Sequence, residues 1–511
     1  MGRTWNSDRA RDHIDRKLAD VDTVEIIDYT RDMSLENIPA NKAYWMHGVH
    51  LYADILNLAD MLGDEKEIDH QQTLRFLNQH YRAVDRILTR CDARQVDFHN
   101  QRLHGVVAKP YTNATNPNAE ADRIRRGVAI AQLIIDVLAE TGDDDKGIPN
   151  AKVRVGIDSG QALAVNNGRH GGREPLFLGD PANRAAKLSG AGQGCGIFMT
   201  NTAREKLGWE KATNEEAKAL TKAEIADCQD KAELPVSKDD IIQEWRDDLA
   251  KKPIEAFKFS RHTPPLHRLA VADLSPGNSR RQEAISLYAD IAGFTAYVRN
   301  NIETNPQDVV RVFHVIRAEL DRVLGTEFQG RRIRHIGDCL HGLICEGTSK
   351  TTDQEETVST SVLCAGGLRS SFNLACQRLA EAGIDTDALG LAIGFEFGPV
   401  TITRLGLKGR MVRCSVSHCV RIGEREQDRC NGTETALGKT AYDNGTDAVR
   451  QLFGASRQVA NLTYNEAVTK LTQKGDATAR GAAEAAAAAS AMPAAATAAA
   501  AKPIRPHASR S

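Results

Sequence analysis

The 511-residue sequence lacks the features that would tie it to a membrane, a nucleic acid or an oxidising compartment. No apolar run approaches the ~18 residues a membrane-spanning helix needs. The opening stretch MGRTWNSDRARDHIDRK is polar and charged, without the apolar centre of a secretory signal. Gly2 invites myristoylation, but Asn6 stands where that motif wants Ser or Thr. Basic excess is also missing. Lys and Arg number 66 against 68 Asp and Glu, a net charge of −2, so a broad nucleic-acid footprint is not expected. A highly charged ligand would have to be met by local cations or by bound metal. The ten cysteines form no CxxC pair, and Cys345, Cys364, Cys376, Cys414 and Cys419 lie in apolar stretches. They read as reduced thiols of a cytoplasmic protein rather than zinc ligands or disulfides. The fifteen histidines show no HxH or HExxH spacing. GAGQGCG at 190–196 is not a dinucleotide loop, because Cys195 takes the last required glycine position and no strand leads into it.

What is present is length and internal repetition. A chain this long exceeds one ordinary core, so two or more domains are expected. YADI occurs at 52–55 and again at 288–291, each time closing an apolar strand. A charged amphipathic stretch follows each copy, at 73–90 and at 308–324. In the second, Val309, Val312, Phe313, Ile316, Leu320 and Val323 recur at helical spacing and mark a core-facing stripe. Matching strand pairs come next, RQVDFHNQRLHGVV at 94–107 and RRIRHIGDCLHGLI at 331–344, and then VRVGIDSGQALAV at 153–165 and LAIGFEFGPVTIT at 391–403. From Asp54 to Gln101 is 47 residues and from Asp290 to Asp338 is 48; from Asp54 to Asn183 is 129 and from Asp290 to Ser417 is 127. Four ordered matches at near-equal spacing imply two homologous α/β domains with helices packed on a mixed sheet. The expected organisation is an extension over 1–44, a degenerate copy over 45–204, a charged insert over 205–279 read as solvated and helical, a second copy over 280–475, and an Ala-rich tail over 476–511 outside the fold.

The second copy carries YADIAGFTAYV at 288–298 and IRHIGDCLHGLI at 333–344. Together these resemble the two metal-binding segments of the class III nucleotidyl cyclases, the adenylate and guanylate cyclase catalytic domains. The resemblance covers most of 280–440 and, more faintly, 45–205. It implies a ferredoxin-like βαββαβ core (α+β) and an intrachain pseudodimer. It also implies cyclisation of a nucleoside triphosphate with two divalent ions, Mg²⁺ or Mn²⁺, held by Asp290, Asp338 and the carbonyl of Ile291. Carboxylate oxygen suits such hard cations. The turn Ala292-Gly293-Phe294-Thr295 would offer backbone N–H groups to phosphate.

In this family a site is shared between facing domains. GDPANRAAKLS at 179–189 matches the family's Asn/Arg segment, which makes Asn183 the expected ribose-orienting residue and puts Lys187 where the transition-state Arg stands. The other copy offers Ser417 and Arg421. The first copy keeps Asp54 but has Gln101 in place of the second Asp, so one working site and one degenerate pseudosite are expected. The base-reading positions of the working site are Asp97 and Leu176, and of the other half-site Arg334 and Arg410. Neither pair matches the adenine or the guanine pattern. With the metal segments intact, this resembles the bacterial pyrimidine cyclases of Pycsar anti-phage defence, which implies a cyclic-nucleotide signal read by a separate effector. UTP is the favoured substrate. CTP, ATP and GTP stay open, as does a catalytically silent nucleotide-binding regulator. Either a monomer with its intrachain pseudodimer or a homodimer fits.

Overall fold

The computed structural model describes residues 3–30, 33–110, 116–143, 146–166, 175–407 and 409–491. Two sheets follow the same plan. In the first copy the long strand Lys42–Ile55 lies between the hairpin Arg94–His99/Arg102–Val107 and the long strand Val153–Asn166. In the second, Ser279–Ala292 lies between the hairpin Arg331–Ile336/Cys339–Ile344 and Gly390–Leu405. Each copy adds the helices its amphipathic patterns predict, Glu67–Arg90 and Pro306–Arg322, then a further long helix, Ala119–Leu138 and Gln354–Glu381. The expected βαββαβ core is therefore present twice.

The helix Pro306–Arg322 shows why the pattern is readable. Pro306 starts it, Asp308 lies in its first turn and Arg322 in its last, which suits the helix dipole. Its apolar stripe is buried against the sheet. Two glycines let a later helix of each copy lie close on its long strand. A Cβ on Gly156 would stand 2.1 Å from the Ala185 carbonyl, and one on Gly394 would stand 2.0 Å from the Gln427 nitrogen. The helices so seated are Asp180–Gly190 and His418–Asp428.

The two copies share their cores. Leu163, Val165 and Leu178 of the first copy are buried in the hydrophobic cluster of the second. Leu405, Val412, Cys414 and Val416 of the second are buried in that of the first. Each such side chain is worth about 1.5–3 kcal/mol of burial, so the halves are fixed against one another. The extension adds to this. Its helix Ser7–Asp20 docks on the second copy, where Trp5 Nε1 donates to Ser371 Oγ at 2.7 Å and His13 meets Glu319 at 2.7 Å. Its strand Glu25–Asp28 runs parallel to Lys42–Ile55 of the first copy.

Two expectations need correction. The charged insert is helical, at Lys222–Ala232 and Lys238–Lys251, but it is not merely solvated. Leu220, Cys228, Val236, Ile241, Ile242, Trp245, Ile254 and Phe257 are buried in the first copy's core, so the apolar residues spaced through the charged stretch dock it. The tail also joins the fold at its start. Asp476 caps the helix Ala477–Ala491, accepting from Ala479 N at 2.9 Å and from Ser359 Oγ at 2.6 Å, and Ala479 and Ala482 pack into the second core. Residues 492–511 lie outside the described residues. None of the ten cysteines is paired. Among the described residues no helix is long and apolar enough to cross a membrane.

Candidate active site

Asp290 ends the strand Ser279–Ala292, and Asp338 sits in the turn of the neighbouring hairpin, where Gly337 takes a positive φ of 62°. Burial pushes the Asp290 carboxyl up to about 6, with Asp428 adding to the effect. Asp338 is pushed well above the usual carboxylate range by burial and by Asp290, with the Arg317 guanidinium opposing. Two half-buried carboxylates, with Asp290 adding to the cost of ionising Asp338, are what a bound cation relieves. The donor set is oxygen alone, which suits a hard divalent ion. Ile291 is buried, so it could offer only its carbonyl. Among the described residues no group of three or more His, Cys, Asp or Glu side chains gathers as a metal cluster. Completing a coordination shell would thus fall to main-chain, ligand or water oxygen.

After Asp290 the chain turns at Gly293, whose φ is 85°. A Cβ there would stand 2.5 Å from the Ala388 carbonyl, so only glycine fits. The turn opens the helix Phe294–Asn301, and Phe294 anchors it by packing on Phe313 with ring centroids 5.6 Å apart. Across from this turn lies the first copy's helix Asp180–Gly190. Arg299 of the one helix pairs with Asp180 of the other, its Nε 2.9 and 3.0 Å from the two carboxylate oxygens.

Between them is a cavity of about 190 Å³. Phe294, Thr295 and Asp338 line it from the second copy, and Asn183, Ala186, Leu176 and Asp97 from the first. Of the expected site residues, Asp290, Ile291, Ala292 and Gly293 are not among its lining, and Ala292 and Gly293 line a separate cavity beside Arg369 and Gly432. Tyr52, His104 and Phe177 complete a wall on the first copy's side. The Tyr52 and His104 rings stack at 4.0 Å, matched in the other copy by Tyr288 and His341 at 4.3 Å.

No protein-family model matches the chain. A uridylate cyclase from Pseudomonas aeruginosa is 56% identical over 485 residues, covering 94% of each chain. The chain belongs to the uridylate cyclases. A second uridylate cyclase, from a Rhizobium strain, is 39% identical over 439 residues and 82% of each chain. A solved structure described as a class III adenylyl cyclase-like ATP-binding protein from Pseudomonas aeruginosa superposes with a TM-score of 0.90 at 57% identity, over 92% of this chain and all of that one. The resemblance to class III nucleotidyl cyclases seen in the sequence is therefore correct.

Several expected site residues of this uridylate cyclase relative stand elsewhere. Lys187 does not line the cavity. Its side chain is 76% exposed and its ammonium lies 3.1 Å from Glu216 of the insert. One step past Ala186 on a helix is a rotation of ~100°, enough to turn it away. Arg421, on His418–Asp428, is not among the cavity residues either; it faces Glu424 and Asp60, on the side of the degenerate half-site. Ser417 caps that helix, accepting from Val420 N at 3.1 Å. Arg410 pairs with Asp85 at 3.2 Å and donates to Thr89 Oγ1 at 2.6 Å. Asp97 and Arg334, expected to serve separate half-sites, meet each other. Arg334 Nη1 donates to Asp97 Oδ1 at 2.7 Å and to the Phe98 carbonyl at 2.7 Å, and its Nη2 to the Arg413 carbonyl at 2.7 Å.

In the first copy Gln101 sits in the hairpin turn that carries Asp338 in the second. Asp54 is occupied. Arg102, its cross-strand neighbour, reaches it with Nε at 3.1 Å from Oδ1 and Nη2 at 3.2 Å from Oδ2, and Ser189 Oγ lies 3.1 Å from Oδ1. In the second copy the matching pairing runs Leu340 opposite Ala289, and the residue before Leu340, in the place of Arg102, is Cys339. Sequence reasoning misses Arg102, Tyr52, His104, Phe177 and Arg317. The signal for Arg102 is its position immediately after Gln101, where the other copy has a cysteine.

Proposed function

We propose that the chain cyclises UTP to 3′,5′-cyclic UMP and pyrophosphate in the cavity that both copies line. The observation that carries this is the meeting of Asp338, Phe294 and Thr295 of one copy with Asn183 of the other around a single space. In the reaction the ribose 3′-hydroxyl loses its proton and its oxygen bonds to the α-phosphorus. The bond from that phosphorus to the bridging oxygen breaks, and pyrophosphate leaves with the electron pair.

Asp290 and Asp338, with the Ile291 carbonyl, would hold two divalent cations of the Mg²⁺ or Mn²⁺ type. Those would lower the pKa of the 3′-hydroxyl and offset the charge of the triphosphate. The N–H groups at the start of Phe294–Asn301 bind phosphate oxygens. Asn183, which lines the cavity, orients the ribose. Asp97, held in place by Arg334, accepts from the uracil N3–H, and Leu176 covers the ring. UTP is preferred because two relatives that match most of the chain are named uridylate cyclases. ATP is the second reading, favoured by the ATP-binding description of the neighbour at 57% identity. Cyclic UMP would serve as a second messenger in antiviral defence, acting on a separate effector within the cytoplasm.

The test is incubation of purified protein with each of the four nucleoside triphosphates and Mn²⁺, with products identified by mass spectrometry. Cyclic UMP is expected from UTP, and none from the Asp290→Ala variant. Product from ATP alone would favour the second reading, and no cyclic product at all would sink the enzyme assignment.

A further inference from the structure

In the first copy the family's transition-state cation is missing from the cavity, since Lys187 turns out to Glu216. Another cation of the same copy is there. Arg102 lines the cavity together with Asn183, Thr295 and Asp338. Its guanidinium lies against the cavity face of the helix Asp180–Gly190. Asn183, Ala186 and Gly190 follow one another along that face at i, i+3 and i+7 spacing. A Cβ on Gly190 would stand 3.2 Å from Arg102 Nη2. The arginine therefore occupies space one helical turn beyond Ala186, where a larger residue at 190 would crowd it.

The way Arg102 is held leaves part of it available. Nε and Nη2 are taken by Asp54, and Ser189 Oγ in turn steadies the Asp54 carboxylate. Nη1 has no hydrogen-bond partner among the described residues. A guanidinium fixed on one edge by a carboxylate and open on the other is oriented for a second oxyanion, with no conformational freedom left to lose. Glu424 and Asp428 of the second copy lie near it, so the surroundings keep it charged.

We propose that Arg102 supplies the cation absent from position 187, donating from Nη1 to the non-bridging oxygens of the α-phosphate as negative charge builds there. Asp54, a metal ligand by ancestry, serves here as a positioning residue for that arginine. The second half-site is therefore not idle. Its carboxylate has been turned to hold a side chain of the working site, and it holds no metal. This assignment rests on the cyclase reading above.

The experiment compares kcat and KM for UTP with saturating Mn²⁺ in wild type, Arg102→Ala, Arg102→Gln, Arg102→Lys, Asp54→Asn and Asp54→Asn/Arg102→Gln. Loss of one donor to a developing oxyanion costs about 10²–10³ in kcat. That loss is expected in Arg102→Ala and Arg102→Gln with KM changed less than about threefold. Arg102→Lys is expected to recover about tenfold of it. Asp54→Asn should lower kcat about tenfold, and the double variant should be no worse than Arg102→Gln alone. The double variant leaves no buried charge unpaired, so it keeps the comparison valid if Arg102→Ala fails to fold. A kcat within threefold of wild type in the double variant would overturn the assignment, as would loss of Mn²⁺ activation in Asp54→Asn. Failure of wild type itself to cyclise any nucleotide would sink the cyclase reading instead.

Discussion

Arg334 of the second copy donates to Asp97 of the first at 2.7 Å, so the two positions expected to read different bases instead close on each other. Burial and that guanidinium act on Asp97 in opposite senses, and burial prevails, leaving its carboxyl raised above the usual range. Arg334 also ties down two carbonyls across the same seam. Removing it would strand three acceptors. Arg334→Ala is expected to cost about 3 kcal/mol, within the range for breaking a buried pair. It should also loosen the preference for UTP over the other triphosphates. Urea unfolding and the four-nucleotide assay measure the two effects separately. Arg334→Lys should restore part of the stability and less of the selectivity.

Lys187→Ala should leave kcat within about threefold of wild type, since its exposed pair with Glu216 is worth ~1 kcal/mol at most. Asn183→Ala, from the same helix, should lower kcat by about 10²-fold, because Asn183 lines the cavity and Lys187 does not. Steady-state kinetics of the two variants side by side checks the contrast.

The positions of Asp290 and Asp338 are legible in the sequence because a strand-end Asp and a hairpin-turn Asp are each set by local backbone geometry, and the spacing of those positions survives in both copies. The doubled fold is legible for the same reason. Lys187 is misread because adjacent helical positions face different ways, and a motif gives the position without the facing. Arg102 and the Asp97–Arg334 pair escape because they depend on cross-strand register and on how the copies dock. Tyr52 and His104 look like ordinary strand residues until the hairpin brings their rings together. The insert is misjudged because eight buried side chains scattered through a strongly charged stretch are enough to dock it.

Gly293→Ala should damage both stability and activity. Its φ of 85° and the Ala388 carbonyl 2.5 Å from a Cβ mean that the turn must shift to admit a methyl group. A cost of about 1–3 kcal/mol is expected for forcing the left-handed conformation. Thermal unfolding should show that loss, and kcat should fall as the 292–295 turn moves off the triphosphate. Gly383→Ala, also at positive φ but with nothing within 4 Å of a Cβ, is the comparison for pure backbone strain.

In metal-free protein the Asp290 carboxyl titrates at about 6, above the ~3.9 of an unfolded chain. A carboxyl raised on folding contributes stability below the unfolded value, and this is lost as pH rises through the folded one. With EDTA present, Asp290→Asn should therefore melt a few degrees above wild type at pH 8. The gap should narrow as pH is lowered from about 6 toward 4. Added Mn²⁺ should raise the wild-type Tm and leave the variant little changed. An Asp290→Asn variant less stable than wild type in EDTA at pH 8 would contradict the reading of this pair as a cation site.

The proposed function needs one working site assembled from both copies of a single chain. Mixing Asp290→Ala chains with Asn183→Ala chains tests this, the first variant being inactive by itself and the second impaired about 10²-fold. Metal ligands and ribose-orienting residue come from the same chain in this account, so every chain in the mixture carries a broken site. Cyclic UMP formation from UTP is expected to stay at the level of the separate variants. Recovery toward a quarter of wild-type activity would mean that the site forms between chains, and would contradict the account.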